Sequence, residues 1–352
     1  MEISRRKSLK MLGALPLLLN GMVSAQAAQA VDAEALKRGY TQRLKTLLAA
    51  GELPYIDIES SCNSNQADIA SIVKTMDGLH IGLIALSADL GKGMFEKKIF
   101  YDPLAAKLIR DYPDRFIPVG NGAQEPAFSD TETSAFLDAQ ESAALERQFF
   151  MLGEYEFRHY PSSRQAKRGR LDRDGTVPID GPLGHQLFSF SEKTGIPFQI
   201  HYEIEDTLLP PLESMLARYP KAKVIWCHVA QIRYLELAPS YSPVYIEGLI
   251  QRFPNLYFDT AFGGANSVYP LSGQHHSRIW GSDGDLVPAW RDLIVAYPKR
   301  FLSALDLGGD RWYRFVEYDN RHRHFLSRLP LETRHQVAYR SAWSLLFGEE
   351  FS

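Results

Sequence analysis

The sequence predicts a (β/α)8 barrel, and three observations carry that reading. Apolar runs rich in β-branched and aromatic residues recur eight times along the chain. Stretches with helical spacing and polar turn residues separate nearly every pair of them. Several of the runs are also preceded by a proline that ends a helix and begins an extended segment, as in DYPDRF, RYPKAK, RFPNLY and AYPKR. Strands that alternate with helices in this rhythm pair in parallel, and eight such units close into a ring.

The elements follow in order. A helix over Asp32 to Ala50 leads into the first strand, PYIDIES. The helix Gln66 to Met76 precedes the second, LHIGLIALS, and Leu104 to Tyr112 precedes the third, RFIPVGN. Thr131 to Glu146 reads as a strong helix before the fourth strand, RQFFMLGEYEF. In the second half, helices at Gly184 to Thr194, Leu209 to Tyr219, Pro243 to Phe253 and Val287 to Tyr297 precede IPFQIHYE, AKVIWCHV, NLYFDTAF and RFLSALDLGG in turn. No linker of flexible composition divides the chain, so residues 31–352 read as one domain. Three long connections, Arg158 to Pro182, Gly263 to Asp285 and Gly308 to Phe325, all follow C-terminal strand ends, where barrels of this kind carry their sites.

Residues 1–30 stand apart from this pattern. Arg5 and Arg6 form a charged start, Leu9 to Val23 is an apolar stretch, and small residues at Ser24 to Ala30 suit a signal-peptidase cut. The segment SRRKSLK resembles a twin-arginine export signal, with Ser8 where that pattern favours a bulkier residue. The expectation is a periplasmic or otherwise exported protein that meets the export machinery through this segment. No later run approaches the roughly 20 apolar residues of a membrane span. A net charge of −3 with mixed signs provides no broad basic face, which argues against a nucleic-acid partner. Two cysteines, Cys62 and Cys227, are too few for a disulfide scaffold and read as free, buried thiols.

Side chains alternate along a strand, so inward-facing residues near the C-terminal ends of different strands converge. The first strand offers Asp57, Glu59 and Ser61, and the fourth offers Glu154 and Glu156. His201, His228, Asp259 and Asp306 come from the fifth to eighth. A ring of carboxylates and imidazoles is what a divalent transition metal needs. A lone strand histidine is by default a core residue; the matched positions of His201 and His228 at strand ends point instead to a site. Asp57 lies deeper and reads as a group that orients its neighbours, and His159, His275 and His276 read as solvent-facing loop residues.

The segments DYPDRFIPVGN, GIPFQIHYE, RYPKAKVIWCHVAQ, IQRFPNLYFDTAF and FLSALDLGGD resemble the amidohydrolase superfamily, most closely its amidohydrolase-related, decarboxylase-like branch. The resemblance covers nearly all of residues 31–352 and implies metal ligands at Glu154, His201 and His228, with Asp306 as the aspartate of the eighth strand. It departs at the first strand, where the superfamily's Asp-x-His-x-His stretch reads Asp57, Ile58, Glu59, Ser60, Ser61. Both histidines are missing, which leaves a reduced ligand set in which Glu59 is an added ligand or a substrate contact.

What the resemblance implies is a hydrolase of a small amide, ester or lactone. One divalent ion, zinc by preference, activates water while Asp306 acts as general base and His228 stands beside it as a catalytic ligand. The alternatives are a metal-dependent decarboxylase of an aromatic or unsaturated acid, against which the missing histidine pair counts, and a metal-free binding protein on the same barrel. Arg158 after the fourth strand, and Arg311, Trp312 and Tyr313 after the eighth, suit a small anionic or aromatic substrate. Export is open to test now. Changing Arg5 and Arg6 together to lysine keeps the charge but removes the paired guanidinium groups, and cell fractionation is expected to find precursor in the cytoplasm. Undiminished periplasmic protein would assign the segment to the general secretory route.

Overall fold

The computed structural model describes residues 32–63, 67–90, 92–124, 128–129, 135–147 and 149–352. The expected signal segment, and the first residues of the helices read at Gln66 and Thr131, lie outside them. The strands are β1 (Ile56–Cys62), β2 (Leu83–Ala88), β3 (Phe116–Ile117), β4 (Leu152–His159), β5 (Gly175–Thr176), β6 (Phe198–Tyr202), β7 (Val224–Trp226), β8 (Leu256–Asp259) and β9 (Phe301–Leu302). β1, β2 and β3 pair in parallel, as do β4, β6, β7, β8 and β9. β5 is antiparallel to β4 and stands outside this series.

Backbone hydrogen bonds join the two sheets at both seams. Beyond β3, Gly120 N donates to Met151 O at 2.9 Å and Ala123 N to Glu154 O at 2.9 Å. At the other seam Ile58 N donates to Ser303 O at 3.0 Å, Asp306 N to Glu59 O at 2.8 Å and Ser61 N to Leu307 O at 2.7 Å. The fold is therefore α/β and consistent with a (β/α)8 barrel. Strands covered on both faces read as unbroken apolar runs, which is why every residue of β2 and β6 is buried, His201 among them.

The helices begin where local chemistry directs. Asp32, Asp68 and Ser242 each accept a backbone N–H three residues on, satisfying groups that the first helical turn leaves free. Pro182, Pro243 and Pro288 each occupy a first position where no N–H is needed. Gly195, at φ 75°, closes the helix Pro182–Thr194 in a left-handed conformation that a side chain disfavours.

The connection read at 308–325 is shorter than expected, because helix Phe315–Ser327 begins inside it. The helices Leu331–His335 and Ser341–Phe347 then return beneath the ring, where Ser303 Oγ donates to Val337 O at 3.1 Å. Cys62 and Cys227 are buried free thiols, and no helix among the described residues is long and apolar enough to cross a membrane.

Helix Phe315–Ser327 carries a buried histidine that ties it to the ring. His322 Nε2 lies 2.8 Å from Ser303 Oγ and its ring centroid 4.8 Å from that of Tyr55. Burial, with the charge of Arg323 beside it, pushes its pKa down to about 3. A histidine in the unfolded chain titrates near 6.5. Between those values the unfolded chain binds a proton that the folded chain does not. The stabilisation is thus complete above pH ~6.5 and falls with pH, by up to about 1.4 kcal/mol per unit. His322→Gln keeps a donor for Ser303 and is expected to flatten this decline in denaturant unfolding between pH ~6.5 and ~4.5. Equal slopes for both proteins would remove His322 from the account.

Candidate metal centre

The strand ends bring together residues far apart in sequence. Glu59 comes from β1, Glu154 from β4, His201 from β6, His228 from the turn after β7 and Asp306 from the turn after β9; all line a cavity of about 300 Å³. His228 and Asp306 have left-handed backbones, at φ 63° and 53°. Such conformations are strained for these residues and are held by their surroundings. His228 N donates to Asp259 Oδ1 at 2.8 Å, and Asp306 N to Glu59 O at 2.8 Å.

The inner atoms form a tight cluster. His201 Nδ1 lies 2.9 Å from Glu154 Oε1, and His228 Nε2 lies 3.1 Å from His201 Nδ1 and 3.5 Å from both Glu154 Oε1 and Glu59 Oε1. Each imidazole is oriented by a partner on its far side. His201 Nε2 faces Glu203 Oε1 at 2.9 Å, and His228 Nδ1 faces Ala261 O at 3.0 Å. With the outer nitrogens donating to those oxygens, both inner nitrogens present lone pairs to each other and to two carboxylates.

That arrangement asks for positive charge. Burial, reinforced by the charges of Asp259 and Glu154, pushes Glu59 well above the usual carboxylate range, and neither of its buried oxygens has a hydrogen-bond partner. Burial disfavours a charged His228, yet its hydrogen bond to Glu154 and the nearby carboxylates outweigh that, and its pKa rises to about 10. A divalent ion meets the same demand. Donors bound to one ion at about 2.0–2.2 Å stand roughly 3–3.5 Å apart, the spacing of Glu154, His201 and His228. A second overlapping group of possible ligands is Glu59, His228 and Asp259.

The structure does not bring every expected residue to the cleft. Arg311 lines it and pairs with Asp306. Arg158 instead pairs with Glu205 at 2.8 Å and Asp174 at 2.5 Å and stacks on Tyr160. Trp312 is turned to Ser61 O at 3.0 Å and Tyr313 is 93% exposed. Successive residues of a loop need not share a face, and composition alone placed them. Two of the three histidines expected in solvent are also corrected: His159 lies in β4 and is buried against His201, and His276 is buried.

Two further cleft or cleft-supporting residues escaped the sequence reading. Glu203 follows His201 by two residues, a spacing that signals a shared face. Arg233 sits in a connection and gave no periodic signal. Asp57 accepts from Glu59 N and Leu305 N, the orienting position expected of it.

An α/β ring with carboxylates and imidazoles clustered at its C-terminal strand ends defines a barrel built to hold a metal ion. This chain belongs to the amidohydrolase family, whose sequence profile matches residues 100–302. No curated protein matches it. Among solved structures it is similar to 2,6-dihydroxybenzoate decarboxylase complexed with 2,6-dihydroxybenzoate, at 12% identity and a TM-score of 0.51, covering 84% of this chain and 98% of that one. It is also similar to a dihydroxybenzoic acid decarboxylase from Polaromonas sp. JS666 with bound manganese, at 13% identity and a TM-score of 0.48, covering 84% and 97%. A third is an amidohydrolase from Burkholderia multivorans with bound zinc, at 11% identity and a TM-score of 0.42, covering 84% and 99%. At this identity the first likeness speaks to the fold.

Elemental analysis of metal-supplemented protein is expected to find about one divalent ion per chain, lost in His201→Ala and His228→Ala. Glu59→Gln separates ligation from packing. It keeps the shape and burial of the side chain but removes its ability to carry negative charge, so metal affinity should fall at least about tenfold while the melting temperature of the metal-free protein changes little. Unchanged metal affinity would exclude Glu59 from the centre.

Proposed function

We propose that this protein is a metal-dependent decarboxylase of small hydroxylated aromatic acids. The observation that carries the reading is the four guanidinium groups of the cleft wall: Arg164, Arg173, Arg233 and Arg311 line the same cavity as Glu59, Asp89, Glu154, Glu156, His201, His228 and Asp306. A neutral amide, ester or lactone has no use for four guanidinium groups, whereas a carboxylate matches their planar donors. Arg173 pairs with Glu156, Arg233 with Glu203 and Arg311 with Asp306. Each guanidinium has five donors, so it can keep that partner and still receive a substrate oxygen. The similar fold of 2,6-dihydroxybenzoate decarboxylase supports the same substrate class.

In this reading Glu59, Glu154, His201 and His228 hold a divalent ion, with Glu203 and the Ala261 carbonyl fixing the two rings. Such an ion, when bound, would supply Lewis-acid stabilisation of negative charge on the substrate. The cleft arginines orient the ring. Asp306, in the same wall and in contact with Arg311, carries the proton. That proton adds to the ring carbon bearing the carboxylate; the carbon–carbon bond then breaks, its electron pair returns to the ring and CO2 leaves. Hydrolysis is the second reading, favoured by family membership, and in it Asp306 is the base for water.

A panel of hydroxybenzoates, unsaturated acids, esters and lactones, followed for CO2 release and for titratable acid, separates the two. Release of CO2 with formation of the phenol is expected. Asp306→Asn should lower turnover by about 10²–10⁴ while keeping the metal, the range for loss of a positioned proton-transfer group. Acid release from an ester or lactone without CO2 from any acid would replace decarboxylation with hydrolysis.

A further inference from the structure

The cleft opens into a second chamber of about 590 Å³, with Ser162, Arg164, Arg233, Asp306 and Arg311 in the walls of both. Its charge is one-sided. Among the described residues seven Lys or Arg side chains line it, with Asp306 as the only carboxylate in the wall. The remaining acids that meet those cations are Glu203, Asp310 and Glu317. Among the described residues six of these seven cations are ion-paired with four carboxylates, three of which lie outside the wall.

The outer end is shaped for a flat body with an acidic terminus. Arg314 and Arg321 flank the ring of Tyr318, at 5.8 and 4.8 Å from its centre. Phe262 and Phe325 provide an apolar wall, with centroids 5.0 Å apart. Guanidinium groups beside aromatic faces bind planar anions through both charge and stacking.

We infer that the second chamber is a subsite for a second anionic group of the substrate, so that the natural substrate is an elongated aromatic diacid with one end at the metal centre and the other between Arg314 and Arg321. This rests on the decarboxylase reading for the identity of the reacting end. The chamber itself is tested by binding. Calorimetry on the purified, metal-supplemented chain compares terephthalate, naphthalene-2,6-dicarboxylate and biphenyl-4,4′-dicarboxylate with benzoate, 2-naphthoate and biphenyl-4-carboxylate.

At least one diacid is expected to bind about tenfold or more tightly than its monoacid, in line with a charged group gaining charge-assisted hydrogen bonds. In the Arg314→Gln, Arg321→Gln double variant that ratio should fall towards one. Equal affinities of diacid and monoacid in all three wild-type pairs, or a ratio undiminished in a folded double variant, would overturn the inference. The two readings fail separately. A diacid preference without CO2 release from any acid keeps the chamber and removes the decarboxylase, while CO2 release without a diacid preference does the reverse.

Discussion

Asp57 is buried at the seam where the first and last strands meet, and its carboxylate does what backbone pairing there leaves undone. Oδ1 accepts from Glu59 N at 3.2 Å and Leu305 N at 3.0 Å, and Oδ2 accepts from Ser60 Oγ at 2.5 Å. Ser60 Oγ in turn accepts from Leu307 N at 3.2 Å. One side chain thus satisfies groups on both sides of the closure, in a place where an unmade hydrogen bond costs about 1–3 kcal/mol. The same bonds fix the backbone of Glu59 and hold the segment that ends in Asp306. Burial pushes Asp57 up to about 7, and its donors oppose that rise.

The metal centre inherits its geometry from this closure and its electrostatics from burial. Glu59, Glu154 and Asp259 converge on two imidazoles whose other nitrogens are already committed. Carboxylates in such a space repel one another strongly, because little solvent screens them. A cation is the charge that makes the cluster favourable. Without one, His228 is the group driven towards its charged form. The left-handed backbones of His228 and Asp306 belong to the same account: each is a strained position held by a hydrogen bond from its own N–H to a neighbouring strand.

Around this acidic centre the connections supply the opposite charge. Helix Ser163–Lys167 is fixed by a capping box at Ser162 and Gln165, and it carries Arg164 and Arg168 to a shared carboxylate, Asp310, on the segment after β9. These ion pairs join two connections over the mouth of the ring. The cleft is therefore negative at its floor and positive at its rim.

Much of this was legible in the residues alone. Periodicity and proline punctuation found all eight strands of the ring and most of the helices, because parallel strands buried on both faces and amphipathic crossovers leave strong local patterns. The alternation of side chains along a strand picked out Glu59, Glu154, His201, His228 and Asp306 for one mouth. What it could not supply was the conformation of the connections, where no period constrains the direction of a side chain. Composition there selected Arg158, Arg311, Trp312 and Tyr313, while the tertiary structure kept Arg311 in the wall, turned the other three away and brought Arg233 from another connection. It also decided that Glu203 fixes His201 and that the arginine-rich connections enclose a second chamber. The sequence by itself determined the ring and which strand ends carry ligands, since both follow from local repetition; only the tertiary structure decided the shape and charge of the cleft, since those depend on contacts between segments with no relation in sequence.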